Sequence, residues 1–466
     1  MRGVNGRAWL PLFALAALAP SCGAGVPGEA GSSSRGASGG GTRKSKTADS
    51  QAGLFPEAKA GWRHIDRATR ARIDELARDY VDFLGRAKTP RRAVAALVAM
   101  YKAAGGSALG DSLAAGQRAF WIAPGGDAAL LVIGGRGGAS AGVRAVVAAV
   151  DGPRIDLKQV PLYQHDTATM LETSLYGTLA LESWLARPLA LYVRVARGGK
   201  GGGGSEIVVG EAPGDPVLAI PDVPIHLRRK VQAKEPVADP ERMDAYAGAS
   251  LAAVRAVLHR RGLREADLTE AEAYLVPAGP AALIGVDRAM VAGYGQSRLG
   301  LAYLATRALG AAAPDQATLA VILVSKSQIE GAGSTGVGFV GRALSRALSA
   351  LGGELDVLAS RRAHARTALL VAAIGKGEAN GGLVLTPEGD DALPGALRRA
   401  VDRLDRVHVP VQIGEGESRA AVDLGSLDLD AVAVSLPVKS QGAPLELCSA
   451  LDLHYGLTGL VSWFAP

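Results

Sequence analysis

Aromatic side chains are scarce, at 5% of 466 residues. That scarcity argues against a base-stacking nucleic-acid surface or an aromatic sugar-binding groove. Cysteine is scarcer still: Cys22 and Cys448 are the only two, too few for a disulfide framework. Between Leu447 and Ser449, Cys448 reads as a small core residue. Strong charge is missing from most of the chain. The formal charge is +6, but residues 1–50 hold six basic and two acidic side chains, which leaves +2 for the other 416 residues. A near-neutral body has no general electrostatic attraction for DNA or RNA, so no nucleic-acid partner is expected. No apolar run approaches the ~20 residues of a membrane-spanning helix.

What is present begins with an address. Arg2 and Arg7 precede the twelve-residue apolar run from Ala8 to Ala19, and Pro20, Ser21 and Cys22 follow. A basic start, a short apolar stretch and small residues before a cut site read as a secretory signal peptide over 1–22. Ala19-Pro20-Ser21-Cys22 resembles a bacterial lipobox, which makes Cys22 the expected lipidation site. The expectation is therefore an exported protein, either anchored to an envelope membrane by lipid alone or periplasmic or secreted. Residues 23–60 are a Gly/Ser-rich linker with little to bury.

Asp66 is placed to cap a helix reaching about Arg86, with Ile73, Leu76, Tyr80 and Leu84 at helical spacing. A second helix follows Thr89-Pro90, over 91–104. Apolar runs of strand length lie at 129–133, 144–150, 319–324, 355–358, 368–373 and 431–436, with helical stretches at 338–351 and 396–404. Strands alternating with helices predict an α/β sandwich around a largely parallel or mixed sheet. The stretch 154–290 reads differently, with shorter strands, a Gly-rich loop at 197–205 and dense proline from Pro213 to Pro240. No helix follows those glycines and no GK[ST] ends them, so they form a hairpin tip rather than a phosphate loop. The expected organisation is an α/β domain of 61–153 and 291–466, interrupted by a β-rich insertion over 154–290.

Several phrases, in order along 70–465, resemble the aspartyl aminopeptidases, a family of zinc-dependent exopeptidases. Val147-Ala148-Ala149-Val150-Asp151-Gly152-Pro153 is similar to the family strand ending in Ala-His-Thr-Asp-Ser-Pro. Leu175-Tyr176-Gly177 and Trp184-Leu185-Ala186-Arg187-Pro188-Leu189 resemble its Val-Tyr-Gly and Trp-Phe-Asp-Arg-Asp-Leu phrases. Ile220-Pro221-Asp222-Val223-Pro224-Ile225-His226-Leu227 resembles Ile-Pro-Asn-Leu-Ala-Ile-His-Leu. Ser297-Arg298-Leu299-Gly300 resembles Pro-Arg-Leu-Asp, and Ser325-Lys326-Ser327-Gln328-Ile329 resembles Asp-x-Glu-Glu-Ile. The resemblance implies a mixed-sheet zinc-aminopeptidase core, an inserted β-rich domain of the dimerisation type, and a homo-oligomer.

Peptide hydrolysis by a paired-metal site needs a bridging carboxylate, His and carboxylate ligands on each side, and a carboxylate general base. The resemblance places these slots on unsuitable residues. The first His falls on Ala149, the bridging Asp on Gly300, the general base on Ser327 and its neighbouring ligand on Gln328. The next Asp falls on Arg361 and the last His near Gly442. Asp151 keeps a family slot that orients a ligand without binding metal, and His364 keeps a family position. Glu330 and Glu446 could each enter as a lone carboxylate on a shifted alignment, without restoring any His. An Arg in a dication pocket adds repulsion.

Plainer readings stand beside these. His165-Asp166-Thr167 sits in a polar loop, and His226 lies in a structural phrase. His64, His259, His408 and His454 have no metal spacing with one another. Ser325-Lys326-Ser327 has the residues of a Ser-Lys nucleophile pair, but neighbours on a strand point to opposite faces. The expectation is a non-catalytic member of the family that binds peptide ends or supports an assembly, with no cofactor. Two alternatives are an active metalloaminopeptidase holding zinc through divergent ligands and a structural envelope lipoprotein.

Overall fold

A computed structural model describes residues 61–195, 204–222, 243–325, 335–352, 367–372, 375–386, 395–414 and 430–466. Helices α1 (Arg67–Arg86) and α2 (Pro90–Ala103) come first. Strands β1 (Ser107–Ala108), β2 (Arg118–Ile122), β3 (Ala129–Ile133) and β4 (Val143–Ala149) follow. Next come β5 (Arg154–His165), β6 (Ala168–Tyr176), β7 (Leu189–Val195), β8 (Ser205–Val209) and β9 (Ala245–Gly248). Helices α3 (Leu251–Arg260) and α4 (Glu265–Thr269) lead to β10 (Glu272–Pro277), β11 (Ala282–Ile284) and β12 (Met290–Gly293). Then come helix α5 (Gln296–Ala311), β13 (Thr318–Val324), helix α6 (Thr335–Ala350), β14 (Ala368–Ala372) and β15 (Leu383–Thr386). Helix α7 (Gly395–Arg406), β16 (Val411–Ile413), β17 (Asp430–Ser435), β18 (Glu446–Ser449) and helix α8 (Ala450–Phe464) complete the chain.

The first helix forms where the sequence places its cap. Asp66 accepts a hydrogen bond from the Thr69 amide at 2.8 Å, which satisfies one of the free donors of the first turn. Ile73, Leu76, Tyr80 and Leu84 are all buried along one stripe. Pro90 opens α2, where its missing N–H leaves nothing unpaired.

Nine strands form a mixed sheet in the order β1-β2-β3-β13-β4-β14-β17-β15-β16. Its centre is parallel: β13 and β14 flank β4, and β17 runs parallel to β14. The strands alternate between two cores, as period-2 geometry requires. Leu319, Val321 and Leu323 face α1, α2, α5 and α8, whereas Ala320, Ile322 and Val324 face α6. Each fully buried Leu or Ile is worth about 1.5–3 kcal/mol over an exposed one.

The expected strands at 129–133, 144–150, 319–324, 368–373 and 431–436 and the helix at 396–404 are present within one or two residues. Helix α6 begins three residues before the expected 338, and the run 355–358 lies outside the described residues.

Strands β5 to β10 form a separate six-stranded sheet, ordered β8-β7-β10-β5-β6-β9. The expectation of shorter strands there fails at β5, which at twelve residues is longer than any strand of the large sheet. A register shift between Leu157 and Leu162 breaks its alternation and hides its length. The Gly-rich segment joins β7 to β8, which pair antiparallel from Val195 and Ser205 onward. Residues 196–203 of it lie outside the described residues.

Three cations at the start of α2 bind the small sheet. The buried Lys88 ammonium donates to Glu211 Oε1 (2.6 Å), Pro277 O (2.9 Å) and Gly279 O (2.6 Å), so all three protons are used. Arg91 makes a two-pronged contact with Glu272, at 2.6 and 3.2 Å, and Arg92 Nε reaches Glu206 at 2.6 Å. These pairs hold the small sheet beside the edge of the large one where β4 and β13 end.

Candidate functional site

Ligands in α/β folds bind beyond the carboxyl ends of parallel strands, where side chains and loops converge. Here Ala149 and Val324 are register partners at the ends of β4 and β13, and the Val150 amide donates to Val324 O at 2.9 Å. Val150 and Ser325 therefore leave the two strands side by side, with Asp151 following Val150.

The Asp151 carboxylate is buried and engaged. Tyr176 donates its hydroxyl to Oδ2 at 2.8 Å, and Arg154 Nη1 lies 3.9 Å from the same oxygen. Arg154 is only 5% exposed. Its guanidinium stacks between the rings of Tyr176 and Tyr274, at 4.0 and 4.3 Å, while Nε donates to Asp156 at 2.7 Å. Alternation along β5 puts Arg154 and Asp156 on one face. Gly152 allows Tyr294 to approach, since a Cβ there would stand 2.8 Å from Tyr294 Cζ. Burial pushes the Tyr294 hydroxyl well above its ordinary pKa.

Beside this cluster is a polar cavity of about 260 Å³ lined in part by Arg91, Asp127, Arg154, Asp156, Tyr274 and Ser325. The cations Arg91 and Arg154 and the anions Asp127, Asp156 and Glu272 all line it. Ser325 donates its hydroxyl to Asp127 at 2.7 Å, so the Asp127 carboxylate fixes that serine's orientation. Lys326, the other half of the Ser-Lys reading, lies outside the described residues, as do Ser327, Gln328, Glu330, Arg361, His364, His226 and Cys22.

Ala149 is 1% exposed and packs into the α6 core. Gly300 sits on α5 with no room for a side chain. A Cβ there would lie 2.6 Å from Leu436 Cδ1 and 3.1 Å from the Tyr80 hydroxyl. Gly442 has φ +79°, where glycine is favoured, and a Cβ there would stand 2.4 Å from Thr178 O. Its carbonyl accepts from Trp184 Nε1 at 2.9 Å and from the Ala180 amide at 3.0 Å.

Glu446 is fully buried, and its carboxylate is consumed by structure. It accepts from the Ser297 amide (2.7 Å), the Ser297 hydroxyl (2.9 Å) and the Gly442 amide (2.9 Å), so it caps the first turn of α5. Burial raises its pKa against the pull of those donors. Asp452, also fully buried, accepts from the Asn380 and Gly382 amides at 2.7 and 2.9 Å. Burial pushes its pKa up to about 7.

His64, His165, His259 and His408 are exposed and His454 is half-buried. Among the described residues, no three His, Cys, Asp or Glu side chains converge in a way that could hold a metal ion. His165 ends β5, and Asp166 turns the hairpin at φ +50°. Cys448 is fully buried and free, the small core residue expected of it.

A family profile described as aminopeptidase I zinc metalloprotease (M18) matches residues 83–354. A probable M18 family aminopeptidase 1 of Clostridium acetobutylicum is 28% identical over 303 residues, 61% of this chain and 65% of the relative. One from Thermotoga neapolitana is 29% identical over 291 residues, 60% of this chain and 63% of the relative. The chain thus spans just under two thirds of the length of these curated relatives. Among solved structures, an M18-family aminopeptidase from Thermotoga maritima superposes with TM-score 0.77 at 23% identity, covering 88% of this chain and 99% of that one. Aminopeptidase I from Clostridium acetobutylicum gives 0.75 at 24%, covering 88% and 100%. The Saccharomyces cerevisiae mApe1 dodecamer gives 0.67 at 14%, covering 84% and 97%. At these identities the superpositions establish a shared mixed α/β fold.

Proposed function

The chain belongs to the aminopeptidase I zinc metalloprotease (M18) family, and we propose that it is a member whose paired-metal site has been lost. On this reading it binds peptide ends or supports an assembly without hydrolysing peptides. The observation that carries the reading is the space at two ligand slots assigned by resemblance. At Gly300 it is taken by Leu436 and Tyr80, and at Gly442 by Thr178 O. A paired zinc centre needs a bridging carboxylate and His ligands. Ala149, Gly300 and Gly442 offer no ligating side chain, and Gln328 and Arg361 are an amide and a cation. These residues do not fit the metal pair.

The polar cavity beside Arg154 supports peptide binding. Its guanidinium groups suit carbonyl or carboxylate oxygens, and its carboxylates suit an amine. Subunit pairing through the 154–290 insertion, in a homo-oligomer, is supported by the dodecamer among the similar structures. Export with a lipid on Cys22 rests on the N-terminal residues alone. No helix among the described residues is long and apolar enough to cross a membrane.

The competing reading is an active aminopeptidase, which family membership favours. Elemental analysis of the full chain purified without chelator or His-tag, paired with an aminopeptidase assay on N-terminal residues of peptides, separates the two. Absence of stoichiometric metal together with saturable peptide binding is the expected result. About two zinc ions per chain with turnover would overturn the proposal.

A further inference from the structure

Five segments far apart in the chain meet at the polar cavity of about 260 Å³: the start of α2, the β2–β3 turn, the start of β5, β10 and the end of β13. Two cations, Arg91 and Arg154, and three anions, Asp127, Asp156 and Glu272, give its lining a net charge of −1. Several of these groups are already paired. Arg91 is held by Glu272, and Asp156 accepts from Arg154 Nε.

Two groups keep unused capacity. Arg154 is 5% exposed, yet among the described residues neither of its terminal nitrogens makes a hydrogen bond. Nη1 is buried with Asp151 Oδ2 out of range at 3.9 Å, and Nε is spent on Asp156, so Nη2 is the donor left for the cavity. A buried guanidinium in this state has lost its water without full replacement. The Tyr176 and Tyr274 rings, at 4.0 and 4.3 Å, fix its plane before any acceptor arrives. On Asp127, Oδ2 takes the Ser325 hydroxyl, and no described residue donates a hydrogen bond to Oδ1.

We propose that the cavity binds a small zwitterion, a free α-amino acid or a dipeptide, with its carboxylate on Arg154 and its ammonium on Asp127. This rests on the reading of the cavity as a site for peptide ends, and narrows it. A guanidinium with unpaired N–H groups suits a carboxylate. The net charge of −1 repels a purely anionic ligand, so the carboxylate has to arrive with an amine, for which Asp127 is the partner. Size sets the length. A round cavity of about 260 Å³ is ~8 Å across, and an extended chain advances ~3.3–3.6 Å per residue, so one or two residues fit between the two groups.

The test is isothermal titration calorimetry of the full chain with L-alanine, Ala-Ala and pentaalanine. Saturable binding of L-alanine or Ala-Ala is expected, and the tighter of the two identifies the source. Acetylating the amine or amidating the carboxyl group of that probe should each weaken it ~10-fold or more. A blocked probe that binds as well as its parent would overturn the zwitterion. Binding of pentaalanine alone would overturn the proposal and leave the peptide-end reading standing, whereas no binding by any of the three would remove both. Arg154→Lys keeps the charge but not the planar fork, and should weaken the parent probe ~10-fold or more. Should that buried substitution prevent folding, Asp127→Asn on the β2–β3 turn should weaken the parent probe and spare its N-acetyl form. Unchanged binding of the parent probe to folded Asp127→Asn would overturn the ammonium contact.

Discussion

The filled space at Gly300 can be tested by substitution. Gly300→Ala adds a Cβ 2.6 Å from Leu436 Cδ1, against the ~3.5–4 Å of a relaxed carbon contact. Leu436 is 4% exposed and packed in the core, so its methyl has to move by ~1 Å. Overpacking of that kind costs about 1–3 kcal/mol. Replacing an interior helical glycine returns about 1 kcal/mol, for a net loss of ~0–2 kcal/mol. Leu436→Ala alone should cost about 2–5 kcal/mol. In the double variant the Leu436 clash is gone and only the 3.1 Å approach to the Tyr80 hydroxyl opposes the helix gain, so Gly300→Ala becomes less destabilising there than in the parent chain. The expected coupling between the two positions is then about 1–3 kcal/mol. Guanidinium unfolding read by tryptophan fluorescence measures it, with Trp463, 3% exposed in the same core as Leu436, as reporter. If Gly300→Ala has the same effect in both backgrounds within ~0.5 kcal/mol, the slot is not filled by Leu436 and the structural support for a lost ligand fails.

Further outcomes follow from the same contacts. Gly442→His should bring no stoichiometric zinc by elemental analysis, and it should lower the thermal midpoint because φ +79° and Thr178 O leave no room for a side chain. Lys88→Met strands the half-buried Glu211 and should destabilise by about 3–5 kcal/mol, whereas Lys88→Met with Glu211→Leu should recover part of that loss; equal losses in denaturant unfolding would refute the buried pair. Asp452 has a folded pKa of about 7 against an ordinary 3.8, so between those values the folded state keeps a proton that the unfolded chain has released. Its contribution is present at low pH and is lost as pH rises from ~4 to ~7. Asp452→Asn should flatten that fall in a pH series of unfolding midpoints. A residual slope of the same sign is expected from Glu446, whose pKa is also raised.

Elements with a one-sided apolar stripe are legible in the sequence alone. Helix α1 shows its cap at Asp66 and its buried face at helical spacing, and the strands of the parallel centre read as continuous apolar runs because both faces are buried. Helix α5 is not legible as a helix: Leu299, Leu301, Ala302, Tyr303 and Leu304 are all buried, so no polar face marks its period. The length of β5 is masked by its bulge. At the site, Asp151 and the vacant slots can be named from family phrases, while Arg154, Tyr294 and Asp127 cannot. Their roles depend on neighbours more than 100 positions away, Tyr274 for Arg154 and Ser325 for Asp127.

By itself the sequence determined the residue types: which positions could ligate a metal, which runs had to be buried, and which family the phrases belong to. Those follow from side-chain chemistry and local periodicity, which a chain carries in any conformation. Only the tertiary structure decided that β13 lies between β3 and β4, that Arg154 stacks between two tyrosines beside Asp151, and that Leu436 and Thr178 O stand where side chains at 300 and 442 would go. These are packing outcomes between segments far apart in the chain, and no local pattern encodes which distant methyl or carbonyl fills a given space.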